Sequence, residues 1–319
     1  MAIANFPKFS GIGRTSNLLD DEILLLGDND LGSRGRYISI QKPREGLLAL
    51  KYTIEDLPLR QSPHQHSSLV SKNTLTVLGG KFKSRAKLSK FTWTELSLKW
   101  ENGTRFDPDF TDACAVKLDV DVHIIFGGAK DINGQMIGGR QVVKINTTEE
   151  IAYELNPLTH SRVSHSCQLL NKSVAIVSGG LTQKGGDPSE VLPDEIYNIT
   201  TQEVVKVLDI QESLQRFQHV TIKIDDRVWA MGGRDSNNNA TSKIAEFNPS
   251  TNAWSETTLE LQSNQTSQLV VSPFPVASLD CVPQCLCGIS NRQGRIFGGS
   301  EAAVIHKSKK LKIKSPFSG

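Results

Sequence analysis

A short apolar run that ends in a glycine pair recurs along this chain, and its spacing constrains the fold more than any other feature. The copies are Thr76-Val77-Leu78-Gly79-Gly80, Ile124-Ile125-Phe126-Gly127-Gly128, Ile176-Val177-Ser178-Gly179-Gly180 and Trp229-Ala230-Met231-Gly232-Gly233. A degenerate copy, Leu24-Leu25-Leu26-Gly27-Asp28, stands near the start. The first glycines fall at 27, 79, 127, 179 and 232, giving intervals of 52, 48, 52 and 53 residues. Self-similarity at a period of roughly 20–50 residues marks a repeat architecture whose units cannot bury their apolar faces alone.

The flanks repeat as well. Upstream of the glycines lies a second extended segment: Gln65-His66-Ser67-Ser68-Leu69-Val70, Arg162-Val163-Ser164-His165-Ser166-Cys167 and Arg216-Phe217-Gln218-His219-Val220-Thr221. Turn residues such as Asn171-Lys172 and Asp225-Asp226 separate it from the glycine-bearing run, which is a hairpin signal. Downstream, Lys243-Ile244-Ala245-Glu246-Phe247-Asn248-Pro249-Ser250-Thr251-Asn252-Ala253-Trp254 reads as two more strands around an Asn-Pro-Ser-Thr-Asn turn. Four strands per unit follow.

The order strand, Gly-Gly, strand with an aromatic, turn, Trp resembles the kelch repeat. The likeness is strongest over 216–254 and weaker over 162–208, where Tyr197 holds the aromatic position without a Trp. It implies an all-β, kelch-type β-propeller of five or six four-stranded blades over residues 18–272, after an N-terminal segment 1–17. The structural glycines are Gly79, Gly80, Gly127, Gly128, Gly179, Gly180, Gly232 and Gly233; lacking Cβ, they allow close approach near the axis. The first unit is expected to lack its innermost strand and to borrow it from Gln268-Leu269-Val270-Val271, which would close the ring and remove open edges.

Beyond residue 272 the texture changes. Residues 273–295 form a Cys-containing linker, followed by a basic tail to 319, short and with little expected structure. Cys287-Gly288 is followed by Arg295-Ile296-Phe297-Gly298-Gly299-Ser300-Glu301-Ala302. This stretch is similar to the activation junction of trypsin-like serine protease zymogens. The resemblance makes 273–295 a linker and activation peptide and 296–319 the truncated start of a serine protease domain with a basic tail; it implies cleavage between Arg295 and Ile296, and burial of the new Ile296 ammonium where it orders an oxyanion hole. A bridge from Cys287 to a protease domain and a small loop closed by Cys281 and Cys285 belong to the same resemblance. Too few residues follow Arg295 to hold a His, Asp and Ser triad, so no catalytic residue is assigned and the chain itself is expected to be inert. The competing reading is a degenerate blade, with its glycine pair 66 residues after the preceding one.

Cys114 and Cys167 precede their glycine pairs by 13 and 12 residues and are expected to be buried free thiols, held apart in different blades. His66, His165 and His219 recur at the first strand. A metal ring is conceivable, but one His per blade more often bonds its neighbour's backbone. The sequence shows no zinc-ligand set, no copper-ligand set and no nucleotide-binding or hydrolase motif; no cofactor or metal is expected.

The formal net charge is +2, and −3 without Lys307, Lys309, Lys310, Lys312 and Lys314. That balance disfavours a nucleic-acid partner. No apolar run reaches the length of a membrane span. The first residues lack the apolar stretch of a secretory signal. Six glycosylation acceptors, Asn102, Asn146, Asn171, Asn198, Asn239 and Asn264, exceed the roughly three expected by chance and favour a secreted parent. The functional expectation is a non-catalytic module that binds a protein or glycan through its loops and precedes the protease domain of a secreted parent. The alternative is a cytoplasmic adaptor for a partner such as actin or a ubiquitin-ligase component.

Overall fold

The computed structural model describes residues 111–260, apart from 133–134, 184–186 and 188–189, and the strands among residues 15–102 and 295–304. Among the described residues there are five four-stranded antiparallel sheets. The first contains β1 (Thr15–Leu19), β2 (Glu22–Leu26), β3 (Arg36–Gln41) and β4 (Tyr52–Asp56). The second contains β5 (His66–Ser71), β6 (Thr74–Gly79), β7 (Ser89–Thr94) and β8 (Ser97–Asn102). In the third, β9 (Cys114–Lys117) and β10 (Val122–Phe126) are followed by a separate hairpin of β11 (Ala129–Ile132) and β12 (Gln135–Gly138). That sheet is completed by β13 (Val142–Asn146) and β14 (Ile151–Leu155). The fourth holds β15 (Ser166–Asn171), β16 (Val174–Ser178), β17 (Asp194–Asn198) and β18 (Glu203–Leu208). The fifth holds β19 (Val220–Ile224), β20 (Arg227–Met231), β21 (Lys243–Asn248) and β22 (Ala253–Glu260).

Each sheet is a meander, and the first strands of successive sheets touch in the order β1, β5, β9, β15, β19. The first strand of every blade therefore faces the axis. Two ends of the molecule follow from this. The second strands finish in their glycine pairs at one end, the loop end. The turns from first to second and from third to fourth strand lie at the other, the turn end.

Alternation along the strands builds the core. Cys114, Val116, Ile124, Phe126 and Val142 meet Cys167, Ala175, Val177 and Tyr197 between the third and fourth sheets. Their odd-numbered neighbours Ala115, Ile125, Val143 and Ile145 pack with Leu78 on the opposite face, toward the second sheet. Ile176, Ile196 and Leu208 pack with Val228 and Phe247 between the fourth and fifth. Full burial of one such aliphatic or Phe side chain contributes about 1.5–3 kcal/mol, so each interface is a substantial apolar core.

Two expectations are corrected. Cys114 and Cys167 are a disulfide, with Cα atoms 5.8 Å apart. Cys114 pairs with Phe126, whereas in the next blade Ser166 pairs with Ser178, so Cys167 sits one step further along its strand. One step reverses the face; the two thiols point at each other across the interface. Next, the first sheet carries its own first strand: β1 begins at Thr15 and pairs with β2, with Thr15 opposite Leu26. The proposed donor, 268–271, lies outside the described residues. In the C-terminal segment, β23 (Arg295–Gly298) and β24 (Glu301–Val304) form a two-stranded hairpin. Among the described residues, no helix is long and apolar enough to cross a membrane.

Candidate functional site

The glycine pairs and the segment leading into each first strand form one repeated device at the loop end. Gly127, Gly179 and Gly232 have φ of +58°, +59° and +63°, and their partners Gly128, Gly180 and Gly233 lie at +97°, +92° and +84°. A Cβ on Gly179 would lie 2.0 Å from the carbonyl oxygen of Arg216, and one on Gly127 would lie 2.8 Å from that of Arg162. The first glycine of a pair therefore accommodates the next blade. The second accommodates its own: a Cβ on Gly180 would meet the Val163 carbonyl at 2.6 Å, and one on Gly233 the Phe217 carbonyl at 2.5 Å. The Gly128 and Gly180 N–H groups donate forward, to the carbonyls of Arg162 and Arg216.

The lead-in residues Asp112, Ser164 and Gln218 adopt left-handed φ of +57°, +55° and +55°. This corner lets the preceding residue bridge the segment that follows the glycines, as Thr111 with Ala129, Val163 with Leu181, and Phe217 with Arg234. The three corners are linked. Ser164 Oγ donates to Asp112 Oδ2 at 3.0 Å, and the Gln218 N–H donates to the Ser164 carbonyl at 2.7 Å. A polar track thus crosses three blades beside the axis. The loops after the second strands stand over it, including the β11–β12 hairpin with Ile132 and Ile137 exposed and the exposed stretch 237–240.

Below the track lies a buried charged cluster. The Arg162 guanidinium is fully buried and donates to the carbonyls of Gly179 and Pro193 and to Glu195 Oε1. Glu195 also accepts the Thr159 and His160 N–H groups and contacts His160 Nδ1 at 3.0 Å. Burial works to raise the Glu195 carboxyl, but Arg162 and these donors outweigh it and hold the group below the usual carboxylate range. Asp194 accepts the Gly179 N–H and, across the blade boundary, the Trp254 indole N–H, both at 2.8 Å. Burial still pushes it up to about 6, against those bonds and the Arg162 charge. The bonds tie the glycine corner, the lead-in to the fourth blade and Trp254 of the fifth together, so the cluster is a joint. Among the described residues no group of three or more His, Cys, Asp or Glu is placed to hold a metal.

The recurring histidines act as blade connectors. His165 Nε2 bonds the Phe126 carbonyl of the preceding blade at 2.9 Å, and His219 Nε2 contacts Ser178 Oγ at 3.2 Å. Donation to a carbonyl requires the proton on Nε2 of His165. Burial beside Arg162 pushes its titration down to about 3, and burial beside Arg216 lowers that of His219 well below the usual value. The side chain of His66 lies outside the described residues.

Of the other residues singled out in the sequence, Arg295 and Ile296 open β23, opposite Val304 and Ala303. Asn102 ends β8, and Asn146, Asn171 and Asn198 end β13, β15 and β17 at the turn end. Asn239 lies in the loop after β20. Cys281, Cys285, Cys287, Asn264 and Gly80 lie outside the described residues. The Cys114–Cys167 bond, the β11–β12 hairpin and Asp194 had not been anticipated.

Residues 215–258 match the family model described as the Kelch motif, over the segment where the repeat is clearest in the sequence. In structure the chain is similar to YjhT, with a TM-score of 0.53 and 14% identity over 64% of this chain and 67% of that one. In sequence, no curated protein matches it. With its five four-stranded sheets, the fold is a kelch-type β-propeller.

Proposed function

We propose that this chain is an extracellular interaction module that recognises a protein through the loop end of its propeller. The observation that carries the compartment is the buried disulfide between Cys114 and Cys167. Structural disulfides persist in oxidising environments and are rare where thiols are kept reduced. The recognition surface is supported by the linked corners Asp112, Ser164 and Gln218 and the loops around them, since binding residues concentrate on loops fixed to a rigid scaffold. The chemistry found at the joints is structural, which favours binding over catalysis.

A place ahead of a trypsin-like protease domain, with cleavage at Arg295, rests on the stretch Cys287 to Ala302 alone. A protein or glycan ligand fits the same surface, and a protein is preferred because exposed Ile132 and Ile137 add apolar area beside the polar track.

The decisive experiment is thiol labelling of the protein from its own cells, denatured without reductant. Cys114 and Cys167 are expected to resist alkylation until reductant is added. Full alkylation of both would overturn the extracellular reading. A photo-crosslinking residue at Asn237 should then capture a partner, and one at Lys172 should not; the reverse would move recognition to the turn end.

A further inference from the structure

Three of the glycosylation acceptors lie at the turn end, two of them at equivalent places. Asn146 and Asn198 end the third strands of their blades, and Asn171 ends a first strand; Asn171 and Asn198 both pair with Val174 from opposite sides. Each side-chain oxygen caps the turn that follows. Asn146 Oδ1 accepts the Thr148 and Glu149 N–H groups, Asn198 Oδ1 those of Thr200 and Thr201, and Asn171 Oδ1 the N–H and hydroxyl of Ser173. The Oδ1 atom is thereby turned toward the backbone, and no hydrogen bond among the described residues engages Nδ2. Thr148, Thr200 and Asn171 are exposed.

Turn chemistry alone explains an Asn at such places. The fifth blade supplies the internal control. Asn248 caps the same turn through the Ser250 N–H at 3.0 Å, yet Pro249 in the middle position disqualifies it as an acceptor. Geometry and acceptor sequence can therefore be separated within one molecule.

We infer that Asn146, Asn171 and Asn198 carry N-linked glycans, which cover the turn end and leave recognition to the opposite end. The inference rests on the extracellular reading above. In the transfer, Asn Nδ2 attacks C1 of an oligosaccharide carried on a lipid pyrophosphate. The Nδ2–C1 bond forms as the C1–O bond breaks, the lipid pyrophosphate leaves, and Nδ2 gives up one proton. Asn102 and Asn239 lie elsewhere, at the loop end.

The test is secretion of the full chain from eukaryotic cells behind an added signal sequence, with glycopeptide mass spectrometry before and after enzymatic deglycosylation. Modification is expected at all three sites. Thr148→Ala, Ser173→Ala and Thr200→Ala should each abolish one glycan while leaving the Asn cap in place. Pro249→Ala, which completes an acceptor on Asn248, should add one. Secreted protein with the Cys114–Cys167 bond closed and all three Asn unmodified, or with glycans only at Asn102 or Asn239, overturns the inference. Retained protein with both cysteines reduced overturns the compartment reading instead.

Discussion

The interface between the third and fourth blades and that between the fourth and fifth occupy the same frame but are clasped differently near the axis. At the first, Cys114 and Cys167 are covalently joined. At the second, the structurally equivalent residues are Ser166 and Thr221, whose hydroxyls lie 2.7 Å apart while the Thr221 N–H also donates to Ser166 Oγ. The histidines follow the same pairing, His165 to a backbone carbonyl and His219 to a serine hydroxyl. Apolar packing is common to both. The difference teaches that the frame needs a short clasp at this point and accepts either a covalent or a hydrogen-bonded one.

The harshest way to break this symmetry is at the glycines. Gly179→Ala should cost more than about 4 kcal/mol or prevent folding, because its Cβ would overlap the Arg216 carbonyl at a left-handed φ. Gly127→Ala, with a looser fit, should cost about 3 kcal/mol. Chemical denaturation of both variants measures the gap, and equal losses would contradict the tighter fourth-to-fifth joint. Between the two, the double variant Cys114→Ala with Cys167→Ala should lose about 4 kcal/mol, as expected for freeing a loop of 53 residues.

Acid should weaken the interfaces that His165 and His219 join, and His123 of β10, fully buried on the strand face toward the second sheet, adds to the effect. In the unfolded chain histidine protonates near pH 6.5, whereas burial holds His165 near 3 and His123 near 4. The unfolded state takes up more protons as pH falls below about 6.5, so stability is full above that value and lost toward the folded values. Between pH 7 and pH 5 these two cost about 4 kcal/mol, and His219 acts in the same direction. Asp194, raised to about 6, binds its proton more readily when folded and returns about 1 kcal/mol over that range. Urea midpoints at pH 7 and pH 5 should therefore differ by about 3 kcal/mol in stability; an unchanged midpoint would mean the histidines are not buried as described.

The smallest effect should come from Ser166→Ala, about 2 kcal/mol for the loss of both its bonds to Thr221. Ser166→Cys with Thr221→Cys sharpens the comparison. If the frames are equivalent, the pair should oxidise spontaneously and raise the midpoint.

The glycine pairs were legible because their conformation can be met by few other residues, and repetition made each copy support the rest. The disulfide was also encoded, in the offset of 13 against 12 residues before the glycines. Similar position was read as separation, when a single step reverses the side of a strand. The β11–β12 hairpin has a signal too, Asn133-Gly134 between two short segments, but it falls outside the four-strand repeat, which no other copy extends. The first strand at Thr15 was missed because Thr-Ser-Asn carries no apolar alternation. The candidate site was less legible, since the Asp112, Ser164 and Gln218 corners share a backbone angle and not a residue type. Asp194 has no local signal at all: its partners Gly179 and Trp254 come from a neighbouring strand and a neighbouring blade.

The forward reach of the glycine corners sets an order of assembly. The Gly128 N–H has no acceptor until Arg162 has been synthesised, and that of Gly180 waits for Arg216. As the chain emerges, each blade stays unfinished until its successor arrives, and that successor then completes both a hydrogen bond and an apolar face. Maturation should therefore advance from the N-terminal side as a travelling boundary, the newest blade staying open to solvent until the next one packs on it.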